Sequence, residues 1–195
     1  MISTMNSPVR ERLLEAAIEL FYAHGLRAVS VDKVIDLAAT TKVTFYRHFK
    51  SKDDLVVAYL ERRAAQERDG IGEAIKQGDG DVGATLRVLS EAIGVIACAP
   101  GFRGCPFINA AAEYPDQDSP IRKAVDAHRR WTKAAFEQLV APLGIVNAAE
   151  VADELMLLRD GAMVAGYLDQ PGSVAASFLR GSRAVIGIGG ASALG

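Results

Sequence analysis

An all-α fold of about nine helices is what the sequence predicts, and three observations predict it. Apolar residues recur at three- and four-residue spacings along most of the chain. Capping and helix-breaking residues fall between those periodic segments, and the alternation, internal repeats and low-complexity tracts that would point elsewhere are absent.

Taken in order, Pro8 suits the first turn of a helix, and Leu13, Leu14, Ala17, Leu20 and Phe21 make that helix amphipathic up to Gly25. Ser30 is a good N-cap for a short second helix, whose apolar positions Val31, Val34, Ile35 and Ala38 follow the i, i+3, i+4, i+7 pattern. After the turn at Ala39–Thr41, Thr41 can cap a third helix, and this one must also be short because Ser51-Lys-Asp-Asp already opens a fourth. Two short helices joined by a tight turn and buttressed by a longer one are the arrangement of a helix-turn-helix. The fourth helix is expected to run to about Arg68, where Gly70, Gly72, Gly78, Gly80 and Gly83 loosen the chain. Five more helices are expected over Val82–Ala99, Cys105–Tyr114, Pro120–Val140, Ala148–Leu168 and Gly172–Ile186. The expected domains are therefore a helix-turn-helix unit (1–50), a larger helical unit (51–188) and a flexible glycine-rich tail (189–195).

Composition narrows the class. With 195 residues, 50% hydrophobic and 24% charged, the chain can bury an ordinary globular core. Two cysteines, Cys98 and Cys105, imply no disulfide framework, and no apolar run approaches a membrane span. The first residues lack the pattern of a signal peptide, so the expectation is a cytoplasmic protein with no membrane association. A net charge of −2 excludes a histone-like coat of positive charge but leaves room for a local basic surface.

Such a surface exists at Thr41-Lys-Val-Thr-Phe-Tyr-Arg-His-Phe-Lys-Ser-Lys, which contains no acid. At about 100° per residue, Phe45 and Phe49 fall on one face of the third helix, with Val43 and Arg47 opposite and Thr44 and Tyr46 on the flanks. Lys42 can donate to guanine O6 or N7, Val43 can pack on a thymine methyl, and Thr44 can bond a base or phosphate. Thr41, Tyr46, His48 and Lys52 suit phosphates, which need only a donor, and Lys52 sits at a helix N-terminus. The alternative is a solvated polar face, which the coincidence with helix-turn-helix spacing disfavours.

Residues 9–60, and most specifically Val34–Leu55, resemble the N-terminal DNA-binding domain of the TetR family of transcriptional regulators. The resemblance is carried by "FYAHG", "SVDKVIDLA", "TKVTFYRHF" and "KSKDDLVVAYL", and the number of helices agrees with it. It implies a homodimer with an N-terminal helix-turn-helix and a larger domain that binds a small effector, and it places Thr41, Lys42, Thr44, Tyr46, His48 and Lys52 at DNA. Two departures stand out. The family's small-glycine-valine turn is Ala38-Ala39-Thr40 here, so Ala39 must adopt the turn's backbone. Asp32 stands where many relatives carry a basic or polar residue, and its carboxylate reads as helix-dipole support rather than a DNA contact.

Beyond residue 50 the pattern is less specific. After Pro120 the stripe Ile121, Val125, His128, Thr132, Ala135, Leu139 is apolar at its ends and polar in its middle. With Trp131 at its edge, this stripe either lines an effector cavity or buries a satisfied histidine. The segment "GCPF" followed by "NAAAE" resembles a motif of one TetR branch and offers Phe102, Phe107, Asn109 and Glu113 as further effector-binding candidates. Cys98 and Cys105 invite a redox-sensor reading, with Arg103 able to lower the Cys105 pKa if close, while the alternative for Cys105 is a small buried hydrophobe. A dimer surface is expected along Val151, Leu155, Leu158, Ala162 and Ala165, and along Ala175, Leu179, Ser182 and Ile186, with monomer core as the alternative.

The function expected is a dimeric, sequence-specific DNA-binding regulator, released as a repressor from a pseudo-palindromic operator by a small-molecule effector, with neither cofactor nor metal. An enzyme is disfavoured because three histidines and two cysteines form no metal-ligand spacing, nucleophile motif or phosphate loop. A helical module for an acidic protein partner is separated from a DNA reader by sequence selectivity, since binding to phosphate alone prefers no duplex.

Overall fold

The computed structural model describes residues 7–169 and 171–187, and among these it holds nine α-helices and no strand. The tail expected at 189–195 lies outside the described residues. The helices are α1 (Pro8–His24), α2 (Val31–Leu37), α3 (Lys42–His48), α4 (Lys52–Gly78), α5 (Val82–Ala97), α6 (Pro106–Glu113), α7 (Pro120–Val140), α8 (Ala148–Leu168) and α9 (Val174–Ile186). They divide into two compact units, one of residues up to Ala65 together with Pro106–Asp126, the other of Gln66–Cys105 together with residues from Ala127 on. No helix among the described residues is long and apolar enough to cross a membrane.

In the first unit α1 packs on α2 and α3, and the inward residues are those of the apolar pattern: Leu13, Leu14, Ala17, Phe21, Val34, Ile35 and Phe45 are buried. Helices of seven residues do not persist alone in water, so α2 and α3 depend on this packing and on their caps. The Ser30 and Thr41 hydroxyls accept from the amides of Lys33 (3.3 Å) and Thr44 (3.2 Å). At the start of α4, Ser51 Oγ accepts from the Asp54 amide (3.0 Å) and the Asp54 carboxylate accepts from the Lys50 amide (3.1 Å), a reciprocal cap. Arg62 of α4 donates both guanidinium arms to Glu11 of α1 (2.7 and 2.8 Å), and Phe21 meets Tyr59 edge-on.

The turn between α2 and α3 places Ala39 at φ 47°, the left-handed region where a Cβ costs roughly 1–2 kcal/mol. Ala39→Gly should therefore stabilise the protein by roughly 1 kcal/mol, after allowing for glycine's greater freedom in the unfolded chain. A urea midpoint equal to or below that of the parent would contradict this account of the turn.

The second unit corrects one expectation. The fourth helix does not end near Arg68 but runs to Gly78, through Gly70 and Gly72. Each glycine costs roughly 1 kcal/mol relative to alanine, yet Ile71 and Ala74 are buried in this unit's core and keep the helical period going. The break comes at Asp79–Gly80, both at positive φ. That core gathers Leu86 and Leu89 of α5, Phe136 and Val140 of α7, Val151, Leu155 and Met156 of α8 and Ile186 of α9. Two close approaches set its spacing: a Cβ on Gly94 would lie 2.8 Å from the Ala175 methyl, and one on Gly166 would lie 2.8 Å from the Ala97 methyl. Helices α5, α8 and α9 therefore meet through small residues.

Candidate nucleic-acid interface

Helix α3 is fastened by Phe45, fully buried, and by Phe49 at its C-cap, whose ring also carries the Arg10 guanidinium at 4.9 Å. Opposite that anchor Val43 is 74% exposed and Arg47 lies in solvent. Lys42 and Tyr46 are exposed as well, Tyr46 with its ring edge-on to Phe45 at 5.1 Å. Thr41 and Thr44 join hydroxyls at 2.9 Å, and His48 is half-buried at the helix end. Thr41, Lys42, Val43, Thr44, Tyr46 and Arg47 are thus brought together on one short helix. They form a surface of hydroxyls, methyls and cations, the groups that suit base edges and phosphates.

Two cations of this surface already have partners. Lys42 Nζ donates to Asp32 Oδ1 at 3.2 Å, with both side chains more than half exposed. A pair of that kind is worth about 0–1 kcal/mol, so it orients the ammonium without withholding it. Asp32 thus has a role beyond dipole support: from the first turn of α2 it pairs with Lys42, the first residue of α3. Lys52 Nζ donates to the Arg27 carbonyl at 3.1 Å, which leaves its other N–H donors for a phosphate. Burial holds the Lys52 ammonium below its ordinary pKa, and the Asp53 and Glu113 carboxylates offset part of that shift.

Of the effector-binding candidates, Glu113 is committed elsewhere in its own unit. Its two carboxylate oxygens accept from the amides of Leu26 (2.9 Å) and Arg27 (2.7 Å). Phe107 is buried and Asn109 half-buried in the same unit. In the second unit Phe102 and Trp131 are half-buried, the latter beneath the Arg68 guanidinium at 5.8 Å. Thr132 is fully buried and donates its hydroxyl to the His128 carbonyl (3.1 Å). His128 Nε2 lies 3.4 Å from the Glu67 carboxylate.

That carboxylate belongs to a cluster the sequence reading did not anticipate. Arg159, buried in α8, donates to both Glu67 oxygens (3.0 and 2.7 Å), to Asp160 (3.2 Å) and to Cys105 Sγ (3.8 Å). Burial would lower the Arg159 pKa, but the Glu67 charge and the Cys105 thiol outweigh it, and the net shift is upward. The guanidinium reaching Cys105 is thus supplied by Arg159. The available signal was an arginine on the inner stripe of α8, between Leu155 and Ala162.

The residues expected at a dimer surface are partly taken up by the protomer's own packing. Val151, Leu155, Ala162, Ser182 and Ile186 are buried, and Leu158, Ala165, Ala175 and Leu179 are half-buried. The large hydrophobic residues that α8 leaves in solvent are Leu157, Val164, Tyr167 and Leu168.

A family model for bacterial regulatory proteins of the tetR family matches residues 13–59, which span this helix-turn-helix. The transcriptional regulator UidR of Escherichia coli K12 is 30% identical over 95% of both chains. The chain belongs to the TetR family. A crystal structure of SCO4454, a TetR-family transcriptional regulator from Streptomyces coelicolor, is 39% identical and superposes with a TM-score of 0.84 over 91% of this chain and 94% of that one. The transcriptional repressor NemR of Escherichia coli K12 is 27% identical over 66% of this chain and spans only 65% of its own length in that match. Both Escherichia coli relatives are named as transcriptional regulators, NemR as a repressor.

Proposed function

We propose that this TetR-family chain is a homodimeric repressor that reads a pseudo-palindromic operator with α3 and releases it when a small effector binds. The observation that carries the reading is the outward face of α3, where Lys42, Val43, Thr44, Tyr46 and Arg47 are held over the buried Phe45 anchor. Lys42, Val43 and Thr44 read base edges in this scheme, while Thr41, Tyr46, Arg47, His48 and Lys52 hold phosphates. Repression is favoured by the NemR relative, which is named as a repressor.

The division of labour proposed is a reading head over 1–50 and an effector-binding, dimerising remainder over 51–188. Helix α4 contributes residues to both compact units and is the natural carrier of the signal. Effector and operator then oppose one another by a single coupling energy, typically about 1–3 kcal/mol. Because Glu113, His128 and Thr132 have partners within the protein, the effector-binding proposal leans on Phe102 and Trp131 in the second unit, and Phe107 and Asn109 of the first remain secondary candidates.

For the self-contact we favour the solvent-facing stripe of α8, Leu157, Gly161, Val164 and Leu168, which repeats at four, three and four. Leu157 is 70% exposed, so Leu157→Glu should leave the fold intact while shifting sedimentation from dimer to monomer at micromolar concentration. A variant that sediments as the parent does would move the interface elsewhere.

Selection of bound duplexes from a random pool tests the whole reading. The expected result is a palindromic consensus with half-site centres roughly 34–36 Å apart. Recovery of no preferred sequence would reject it in favour of an acidic protein partner.

A further inference from the structure

We propose that Glu113 is a positioning residue for the DNA-reading helices: it fixes the loop that feeds α2 and ties that loop's conformation to the end of α6. This rests on the DNA-reading function proposed above and adds to it a residue outside the helix-turn-helix.

The loop from Gly25 to Ser30 leaves α1 with Gly25 at φ 90° and enters α2 at Val31. Its apolar members Leu26 and Val29 are buried. The amides of Leu26 and Arg27 lie beyond α1 and before α2, so neither has a carbonyl four residues back in a continuous helix to receive it. Glu113, the last residue of α6 and more than eighty positions away in sequence, receives both, one on each oxygen, at 2.9 and 2.7 Å. These are charge-assisted bonds, stronger than neutral ones, and two of them to one rigid carboxylate fix direction as well as distance.

Two further contacts converge on Arg27. Lys52 Nζ holds the Arg27 carbonyl at 3.1 Å, so Arg27 is gripped at its N–H by the end of α6 and at its C=O by the start of α4. The Arg27 guanidinium lies over the ring of Tyr114, next in sequence to Glu113, at 5.1 Å. Gly25 completes the fit, because a Cβ there would stand 3.3 Å from a Glu113 oxygen. All of these residues belong to the first compact unit.

The consequence for DNA follows from helix length. With seven residues each, α2 and α3 carry little stability of their own, and the segment that delivers the chain into α2 sets where both begin. A rearrangement that withdrew the end of α6 would break both bonds at once and free the loop four residues before α2. Glu113 thereby makes the position of the reading helices conditional on that of α6.

The test uses the full chain, the duplex found by selection and a scrambled duplex of equal length. Amide hydrogen exchange at Leu26 and Arg27 and binding by fluorescence anisotropy are measured for Glu113→Ala and Glu113→Gln. Glu113→Ala should accelerate exchange at both amides by about tenfold or more, with α1 and α4 amides unchanged, and weaken the selected duplex by about tenfold, with little change for the scrambled one. Glu113→Gln keeps one acceptor oxygen and should rescue part of both effects, whereas a general loss of stability would affect both duplexes alike. Wild-type exchange at Leu26 and Arg27, or wild-type affinity for the selected duplex in Glu113→Ala, overturns the proposal. If the alanine variant fails to fold, Glu113→Gln decides alone: unchanged exchange at both amides rejects it. If the parent protein prefers no duplex, the DNA reading fails, and the exchange rates still judge the hold of Glu113 on the loop.

Discussion

Replacing Arg159 by methionine should destabilise the protein by about 3–5 kcal/mol, the cost of leaving one member of a buried ion pair without its partner. The side chain is 8% exposed and Glu67 is 23% exposed. Methionine would fill much of the volume but supply none of the four contacts, leaving the Glu67 carboxylate facing the His128 imidazole at 3.4 Å. The companion Glu67→Gln, Arg159→Met double variant should recover much of the loss, because it removes the stranded charge together with its partner. Acid dependence gives an independent check. Burial alone would raise the Glu67 pKa, but the His128 hydrogen bond and the Arg159 charge outweigh it and hold the carboxyl below its ordinary 4.5. A folded-state pKa below the unfolded one stabilises the protein above the unfolded value, and that contribution is lost as pH falls through the folded value. The parent should therefore lose more stability than the double variant on acidification below about 4.5, as followed by urea titration. Equal midpoints for the parent and Arg159→Met at neutral pH would remove the cluster from the account of stability.

Why this cluster escaped a reading of the sequence while α3 did not is a matter of range. The third helix is specified by neighbours: Thr41 caps it through the amide three residues on, and Phe45 and Phe49 share a face by spacing alone, so its outward residues follow from local geometry. Glu67 and Arg159 are 92 positions apart, and Glu113 and Leu26 are 87 apart. No periodicity connects such residues, and only the fold brings them together. The glycines of α4 misled for the opposite reason. Local propensity argued for a break at Gly70, while the buried Ile71 and Ala74 carried the helix on to Gly78. On α8, period 3.6 revealed an apolar stripe but not which partner covers it. The inner residues Leu155 and Ala162 are buried in their own protomer, and the outer Leu157 and Val164 face solvent.

At the reading head, Lys42→Ala is expected to weaken the selected operator by about 10- to 100-fold and to relax selectivity at one base position, the loss of a good guanine contact being worth roughly 1–3 kcal/mol. The salt dependence separates this from a phosphate contact. Loss of a lysine that only neutralises phosphate would instead lower affinity for every duplex alike and make the slope of log K against log salt shallower by about one. Asp32 sharpens the distinction, because its carboxylate lies 3.2 Å from the Lys42 ammonium. Asp32→Asn releases that ammonium and removes a negative charge facing phosphate, so affinity for all duplexes should rise, more for the scrambled than for the selected one, and the specificity ratio should fall. In a Lys42→Ala background the same change can act only by relieving repulsion of phosphate, which is indifferent to sequence. A double-mutant cycle on the two duplexes therefore measures what Asp32 does through Lys42. If the coupling on the selected duplex equals that on the scrambled one, Asp32 does not aim the lysine, and Lys42 is a backbone contact rather than a reader of bases.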